Sequence, residues 1–252
     1  MRRFAAGQAG RICGGDHCRR LHRSRAAKPG MILGMERSAR QREKRLAAEA
    51  AAELVRDGMT VGLGTGSTVE YLLPALAARR LAIRCTATSL QTEQTARSLG
   101  LPIEPFDRLE SLDLAIDGAD QIAPDGWLVK GGGGAHTREK VVAAAAARFV
   151  VIASSDKVVE RLSPPVPLEL LRFGLAATLE ALSPTMLRDA SESPDGNPIA
   201  DYLGPFDDPV TLAAWLSATP GVVEHGLFSP ELVTDVLVGR GTDVEQRRVS
   251  SH

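Results

Sequence analysis

Between Leu114 and Lys140 the chain reads LAIDGADQIAPDGWLVKGGGGAHTREK, a set of residue types suited to moving protons on a small anionic molecule. Asp117 and Asp120 follow the apolar run Leu112, Leu114, Ala115, Ile116. Lys130 precedes four consecutive glycines, Gly131 to Gly134, and Glu139 comes shortly after them. Each acid alone has a structural explanation, as a helix cap or a surface partner for arginine. The glycine run weakens that explanation, because glycine loses more backbone entropy on folding than any other residue. Four in a row fit a backbone that must approach something closely. Carboxylates beside a lysine suit proton abstraction alpha to a carbonyl, with donors to hold an enediolate. Opening a cyclic sugar needs a further acid–base group, for which Asp117 or Asp120 would serve. Glu139 reads either as the general base or as an acid favoured at a helix N-terminus.

A second motif offers a place for an anion. Met59–Leu63 predicts a short strand, Gly64-Thr65-Gly66-Ser67-Thr68 a turn, and Val69–Arg79 a helix with Leu72, Leu73 and Leu76 inward. Glycines permit close approach, N–H groups at the helix start attract phosphate, and Thr65, Ser67 and Thr68 add hydroxyls. A capped helix after a Gly-rich turn satisfies the same pattern without a ligand. The motif lacks the Gly-Lys pair of a Walker loop and is not a complete GxGxxG. The sequence has no Ser–His nucleophile pattern, metal-ligand cluster or nicotinamide fingerprint. Cys13, His17, Cys18 and His22 do not have the spacing of a standard zinc site.

Secondary structure must carry these residues to one place. Arg37–Asp57 predicts a helix with Leu46, Ala50 and Leu54 as its stripe, closed by Gly58. A strand Ile83–Thr88 leads through Ser89–Thr92 to a helix Glu93–Leu99 and a strand Pro102–Pro105. Ser89 and Thr92 read as helix caps or substrate neighbours. After the strand ending at Asp117 come a helix Lys140–Ala147, a strand Phe149–Ala153 and Ser155-Asp156-Lys157. This alternation predicts an α/β fold, a Rossmann-like open parallel sheet with helices on both faces. Its C-terminal edge would collect Thr65, Asp117 and Lys157.

Ser163-Pro164-Pro165-Val166-Pro167 interrupts the alternation. Beyond it, strands at Leu168–Leu171, Ile199–Leu203, Val222–Val223 and Gly226–Phe228 are expected. Helices Phe173–Leu182 and Pro209–Ser217 and a turn-rich run Ser191–Pro198 complete a small α+β lid domain. Leu232–Val238 returns to the main sheet, and the last dozen residues are expected to fray. The expected organisation is a disordered basic leader over 1–34 outside the native fold, a catalytic domain over 35–162 and 233–252, and the small domain over 163–232.

Eight of the 30 Lys and Arg residues but one of the 31 acids fall in residues 1–30, so the remainder carries an excess of eight acids. An acidic body argues against a nucleic-acid or anionic-membrane surface. No stretch approaches the roughly 20 apolar residues of a membrane span, and the N-terminal segment lacks a secretory apolar core. Three cysteines make no disulfide framework and fit a reducing cytoplasm. The leader reads as sequence upstream of a start at Met31 or Met35.

The ordered set GTGST (64–68), DGAD (117–120), KGGGGAxxREK (130–140) and SDK (155–157) resembles ribose-5-phosphate isomerase type A, over roughly Lys44 to Gly239. The resemblance implies interconversion of D-ribose 5-phosphate and D-ribulose 5-phosphate in the pentose phosphate pathway. It implies no metal or organic cofactor, and a homodimer or homotetramer. Carried over residue by residue, it makes Glu139 the proton acceptor between C1 and C2. Asp117 and Asp120 would contact sugar hydroxyls and assist ring opening, and Lys130 would stabilise the enediolate. Thr65, Gly66, Ser67 and Thr68 would form the phosphate-end cradle, with Lys157 a further substrate contact and Lys44 a weaker candidate for the phosphate. Gly118, Ala119, Gly131, Gly132 and Gly133 would complete the substrate contacts.

The chain departs from that family at three places. Gln121 stands for the usual glutamate, His136 for an apolar residue, and SPDGN (193–197) for TDNGN. His136 reads as a surface histidine or a pH-sensitive neighbour of Glu139. Two other functions compete with this reading. A sugar-phosphate isomerase or amino-sugar phosphate deaminase that uses a catalytic histidine would need a histidine motif absent here. A non-enzymatic phosphosugar sensor would not need Asp117, Asp120, Lys130 and Glu139 together.

Overall fold

The computed structural model describes residues 29–249; the leader up to residue 28, with Cys13, His17, Cys18 and His22, lies outside the described residues. In chain order the first elements are α1 (Pro29–Ala52), β1 (Thr60–Leu63), α2 (Val69–Arg79), β2 (Arg84–Ala87), α3 (Leu90–Ser98) and β3 (Leu114–Asp117). Next come β4 (Gln121–Ile122), β5 (Leu128–Val129), α4 (His136–Ala144), β6 (Phe149–Ser154) and β7 (Val166–Leu170). They are followed by α5 (Leu175–Ala181), β8 (Thr185–Glu192), β9 (Pro198–Tyr202) and α6 (Pro209–Ala218). The last strands are β10 (Val222–His225), β11 (Leu227–Phe228), β12 (Asp235–Arg240) and β13 (Asp243–Arg248).

The main sheet has the order β13-β12-β6-β3-β1-β2. Its strands run parallel, except that β13 is antiparallel to β12. Successive side chains point to opposite faces, and here both faces are apolar. Leu114, Ile116, Val150, Ile152 and Leu237 pack with α1, α2 and α3. Ala115, Phe149, Val151, Ala153, Val236 and Val238 pack with α4 on the other side. That double burial is why β3 and β6 read as unbroken apolar runs. Leu72, Leu73 and Leu76 of α2 are fully buried, each contributing about 1.5–3 kcal/mol relative to exposure. The packed face of α1 is Ala47, Ala48, Ala51 and Ala52, continued past its end by Val55; of the expected stripe, Ala50 and Leu54 pack partly buried against this core. Small side chains let this helix lie close against β6 and β12.

A second sheet, antiparallel, has the order β10-β7-β9-β8, and a third, of two-residue strands, the order β11-β5-β4. Val166, Leu168, Leu170, Ala200, Leu212 and Leu216 form their shared core with α5 and α6. Pro167 is tolerated within β7 because its neighbour on the β10 side, Gly226, donates to Pro167 O at 2.7 Å while the Gly226 carbonyl accepts from Lys130 N at 2.8 Å, so no proline N–H is called for.

Several expectations are corrected. The first helix begins at Pro29 and ends at Ala52, and Gly58 lies past it in a turn at φ +84. Pro102–Pro105 is not a strand; Ile103 makes a single bridge to Cys85. The helix after the glycines starts at His136, placing Glu139 in its first turn. Within the expected frayed tail, Asp243–Arg248 form β13, whose Asp243, Glu245, Arg247 and Arg248 are the charges that protect a sheet edge. β8 was not expected. It is an edge strand with Met186 and Leu187 both exposed, so it has no alternation to read. No helix among the described residues is long and apolar enough to cross a membrane.

Candidate active site

With β2 on one side of β1 and β3 on the other, the connections diverge and a crevice opens beyond the C-terminal strand ends. Gly64 follows β1 there, and Asp117 ends β3. A Cβ at Gly64 would overlap the Asp117 carboxylate, so only glycine allows the two ends to meet. Asp117 Oδ1 accepts from Thr65 N at 3.0 Å and from Gly118 N at 2.7 Å. One carboxylate oxygen thus stitches the GTGST turn to the end of β3. Thr92 Oγ1 donates to Gly64 O at 2.9 Å, and Ser89 Oγ accepts from Thr92 N at 3.2 Å. Ser89 and Thr92 are therefore a cap and a brace for the turn.

Lys130 is the centre of the site. Its Nζ lies 2.9 Å from Asp117 Oδ2 and 3.0 Å from Glu139 Oε2, and it donates to Gly118 O at 2.6 Å. The three residues are 2%, 3% and 4% exposed (Lys130, Asp117, Glu139), so water screens little of this charge. One cation between two carboxylates leaves a buried net negative charge. Burial raises the Glu139 pKa, Asp117 adds to the rise, and Lys130 opposes it only in part; the result is about 8. Burial also pushes Asp117 up, against Lys130 and the N–H groups of Gly118 and Thr65. Those backbone donors favour the ionised form of Asp117, a stabilisation that Glu139 lacks among the described residues. Burial disfavours the Lys130 charge, but Asp117 and Glu139 hold its pKa above the usual lysine value.

A cavity of about 220 Å³ opens beside this trio. Thr65, Gly66, Ser67, Thr68 and Lys157 line its α2 side. Lys130, Glu139, Asp120, Gly118 and Ala119 line the part next to the trio, and Gly131, Gly132 and Gly133 form a wall. Asp117 differs from the other expected site residues: it sits behind the lining with its oxygens engaged by Thr65, Gly118 and Lys130. No direct sugar contact is available to it in this arrangement. Gly66 has φ +118, and Thr68 begins α2 without a side-chain cap. Among the described residues the N–H groups of Gly66, Ser67 and Thr68 find no protein acceptor. Lys44 Nζ donates to Ser67 Oγ at 2.7 Å, bringing a second cation to the same turn.

Two residues that the sequence did not single out support this lining. Glu43, next to Lys44 on α1, accepts from Ser155 N at 3.0 Å, Ser155 Oγ at 2.7 Å and Gly241 N at 2.8 Å. Burial works against its charge, but those donors hold its pKa below the usual value. It anchors the turn that carries Lys157. The other is Arg188, on β8. Neither has a local signal, because both act on partners distant in sequence.

His136 is neither exposed nor a switch near neutral pH. It is fully buried, with Nε2 3.3 Å from Glu224 O, and burial lowers its pKa to about 4. A Cβ on Gly131 would come within 2.7 Å of its Nδ1, so the imidazole fills space that the glycine leaves. Gln121 donates to Ser163 O and accepts from Ser163 N, both at 2.8 Å; a glutamate could not make the first bond. Among the described residues no group of three His, Cys, Asp or Glu is placed to hold a metal ion.

The wall also yields a prediction. A Cβ on Gly132 would sit 2.9 Å from Asp120 Oδ1. Gly132→Val is expected to lower turnover efficiency on the cavity's substrate by on the order of 100-fold through displacement of Asp120. The wall is a loop, so melting temperature should fall by less than about 4 °C. Steady-state kinetics and a thermal melt check this; unchanged kinetics would show that the wall does not set the position of Asp120.

Comparison with known proteins gives concordant matches. A family profile described as Ribose 5-phosphate isomerase A (phosphoriboisomerase A) matches residues 84–243. Over 216 residues the chain is 48% identical to ribose-5-phosphate isomerase A of Roseiflexus sp. (strain RS-1), covering 79% of this chain and 93% of the relative. The crystal structure of ribose 5 phosphate isomerase A from Neisseria gonorrhoeae superposes with a TM-score of 0.80 at 31% identity, covering 84% of this chain and 99% of that one. A D-ribose-5-phosphate isomerase in complex with phospho-erythronic acid superposes with a TM-score of 0.77 at 32% identity, over 81% and 97% of the two chains.

Proposed function

The chain belongs to the ribose 5-phosphate isomerase A family, and on that premise we propose that it interconverts D-ribose 5-phosphate and D-ribulose 5-phosphate with Glu139 as the base. The observation that carries this reading is the Lys130-centred trio, with Glu139 on the cavity beside a helix start that has free N–H groups. Phosphate binds at Gly66, Ser67 and Thr68, drawn by the start of α2 and by Lys44 and Lys157. Binding there is remote from the reacting carbons and can be spent on orienting them. Asp120 faces the sugar hydroxyls and assists ring opening.

In the aldose direction, Glu139 removes the proton from C2. The C2–H electron pair becomes the C1–C2 double bond, and O1 takes the negative charge as the carbonyl opens. Glu139 then returns the proton to C1, while the O2–H proton passes to O1 and the C2 carbonyl forms. The summed charge of trio and substrate stays constant through this exchange. When Glu139 becomes neutral, the negative charge moves to the substrate oxygen, and Lys130 is released from Glu139 to meet it. Asp117 acts through Lys130 as a positioning residue. The same reading takes 35–162 and 233–252 as the catalytic unit and 163–232 as the smaller unit behind the glycine wall.

A relative holds phospho-erythronic acid, a ligand that carries a phosphate and a carboxylate on a sugar-acid chain, which supports a site for a phosphorylated sugar. The histidine-dependent alternative finds no support, since among the described residues no histidine lines the cavity. The test is formation of ribulose 5-phosphate from ribose 5-phosphate by the purified chain in EDTA. Turnover is expected; absence of turnover would overturn the reading.

A further inference from the structure

Arg188 belongs to the antiparallel sheet, not to the sheet or helix that carries Asp117 and Glu139. Its Nε and Nη2 each donate to Asp201 at 2.7 Å, the two-point geometry that fixes a guanidinium plane. Its remaining nitrogen, Nη1, donates to the carbonyls of Gly131 and Gly132 at 3.1 and 3.0 Å. The wall needs such a hold. Gly131 lies at φ +101 and Gly134 at φ +74, and four residues without side chains have nothing of their own to fix their peptide planes.

A trans peptide is planar, with its C=O and N–H pointing opposite ways. Holding the Gly131 carbonyl toward Arg188 therefore directs the Gly132 N–H away from it, and that N–H donates to Asp120 Oδ2 at 2.8 Å. Holding the Gly132 carbonyl likewise turns the Gly133 N–H away from Arg188, at a residue that lines the cavity. Gly134 N closes the loop onto Gly131 O at 3.0 Å. Two peptide planes and one substrate-facing carboxylate are thus set by one side chain from the neighbouring sheet.

We propose that Arg188, locked by Asp201, is a positioning residue for the isomerisation: it orients the glycine wall and through Gly132 aims Asp120. Only the kinetic arm of the test rests on the isomerase reading. Arg188→Met is made alone and together with Asp201→Asn, so that the second variant leaves no buried carboxylate without its cation. Both are expected to lose on the order of 10–100-fold in kcat/KM, with the acid limb of the pH profile unmoved because Arg188 does not touch Glu139. Arg188→Lys should recover a part at most, since an ammonium cannot reproduce the fork. Amide hydrogen exchange is expected to accelerate at Gly132 and Gly134 while β3 and β6 keep their protection. This arm holds even if the wild type does not isomerise ribose 5-phosphate. Unchanged exchange at Gly132 would overturn the proposal. So would wild-type kcat/KM in both methionine variants, or loss of protection across β3 and β6 to the same degree as at Gly132.

Discussion

Glu139→Gln is expected to lower kcat by roughly two to four orders of magnitude, the range of a general base, with little change in KM. Wild-type kcat/KM should rise with pH and level off above about 8, the pH at which Glu139 loses its proton. The glutamine variant should lose that limb. Stability should move the other way. The folded-state pKa of Glu139 is raised from 4.5 to about 8, so between these values the native form binds more protons than the unfolded chain. Glu139 therefore costs stability progressively as pH rises through that window. Glutamine carries no such cost, and the variant should melt above wild type at pH 9 and level with it at pH 4. Thermal melts at the two pH values decide this. A variant that is slow and also less stable at pH 9 would mean that Glu139 holds the fold rather than the proton.

Lys130→Met removes the cation that two buried carboxylates share. Losing one partner from a buried ion pair typically costs about 3–5 kcal/mol, and here two acids are left facing each other. The cost should be greatest at high pH, where both must ionise, and smaller at pH 5, where Glu139 keeps its proton. Activity at neutral pH should vanish, because without Lys130 the Glu139 pKa rises further and the base stays protonated. Urea denaturation at pH 5 and pH 9 measures the difference; equal losses would contradict a charge-based role. Adding Glu139→Gln to Lys130→Met should restore part of the stability, since it removes one of the two opposed charges, and coupling between such neighbours is on the order of 0.5–3 kcal/mol.

Much of the framework was legible because burial leaves a local trace. The helix Val69–Arg79 is found as expected, and β1, β3 and β6 lie where the apolar runs place them. β4 and β5 are two residues each, too short to show a period, and β8 has no buried face to mark. The charged C-terminal strand looks like a solvated tail until its pairing with β12 is seen. His136 looks like surface until Gly131 and Glu224 are seen closing over it.

By itself the sequence determined which residue types stand at the ends of β1 and β3 and on α4, and hence a glycine-lined, carboxylate-rich edge beside a helix start. Those are matters of order and periodicity, written residue by residue along the chain. Only the tertiary structure decided that Asp117 withdraws behind the cavity to hold Lys130, and that Glu139 is the acid of the pair that faces the cavity. It also decided that Glu43 and Arg188 brace the two walls from 112 and 57 residues away. The physical reason is that a proton's affinity and a peptide's orientation depend on distance through space and on exclusion of water. Neither quantity exists until the sheet has closed.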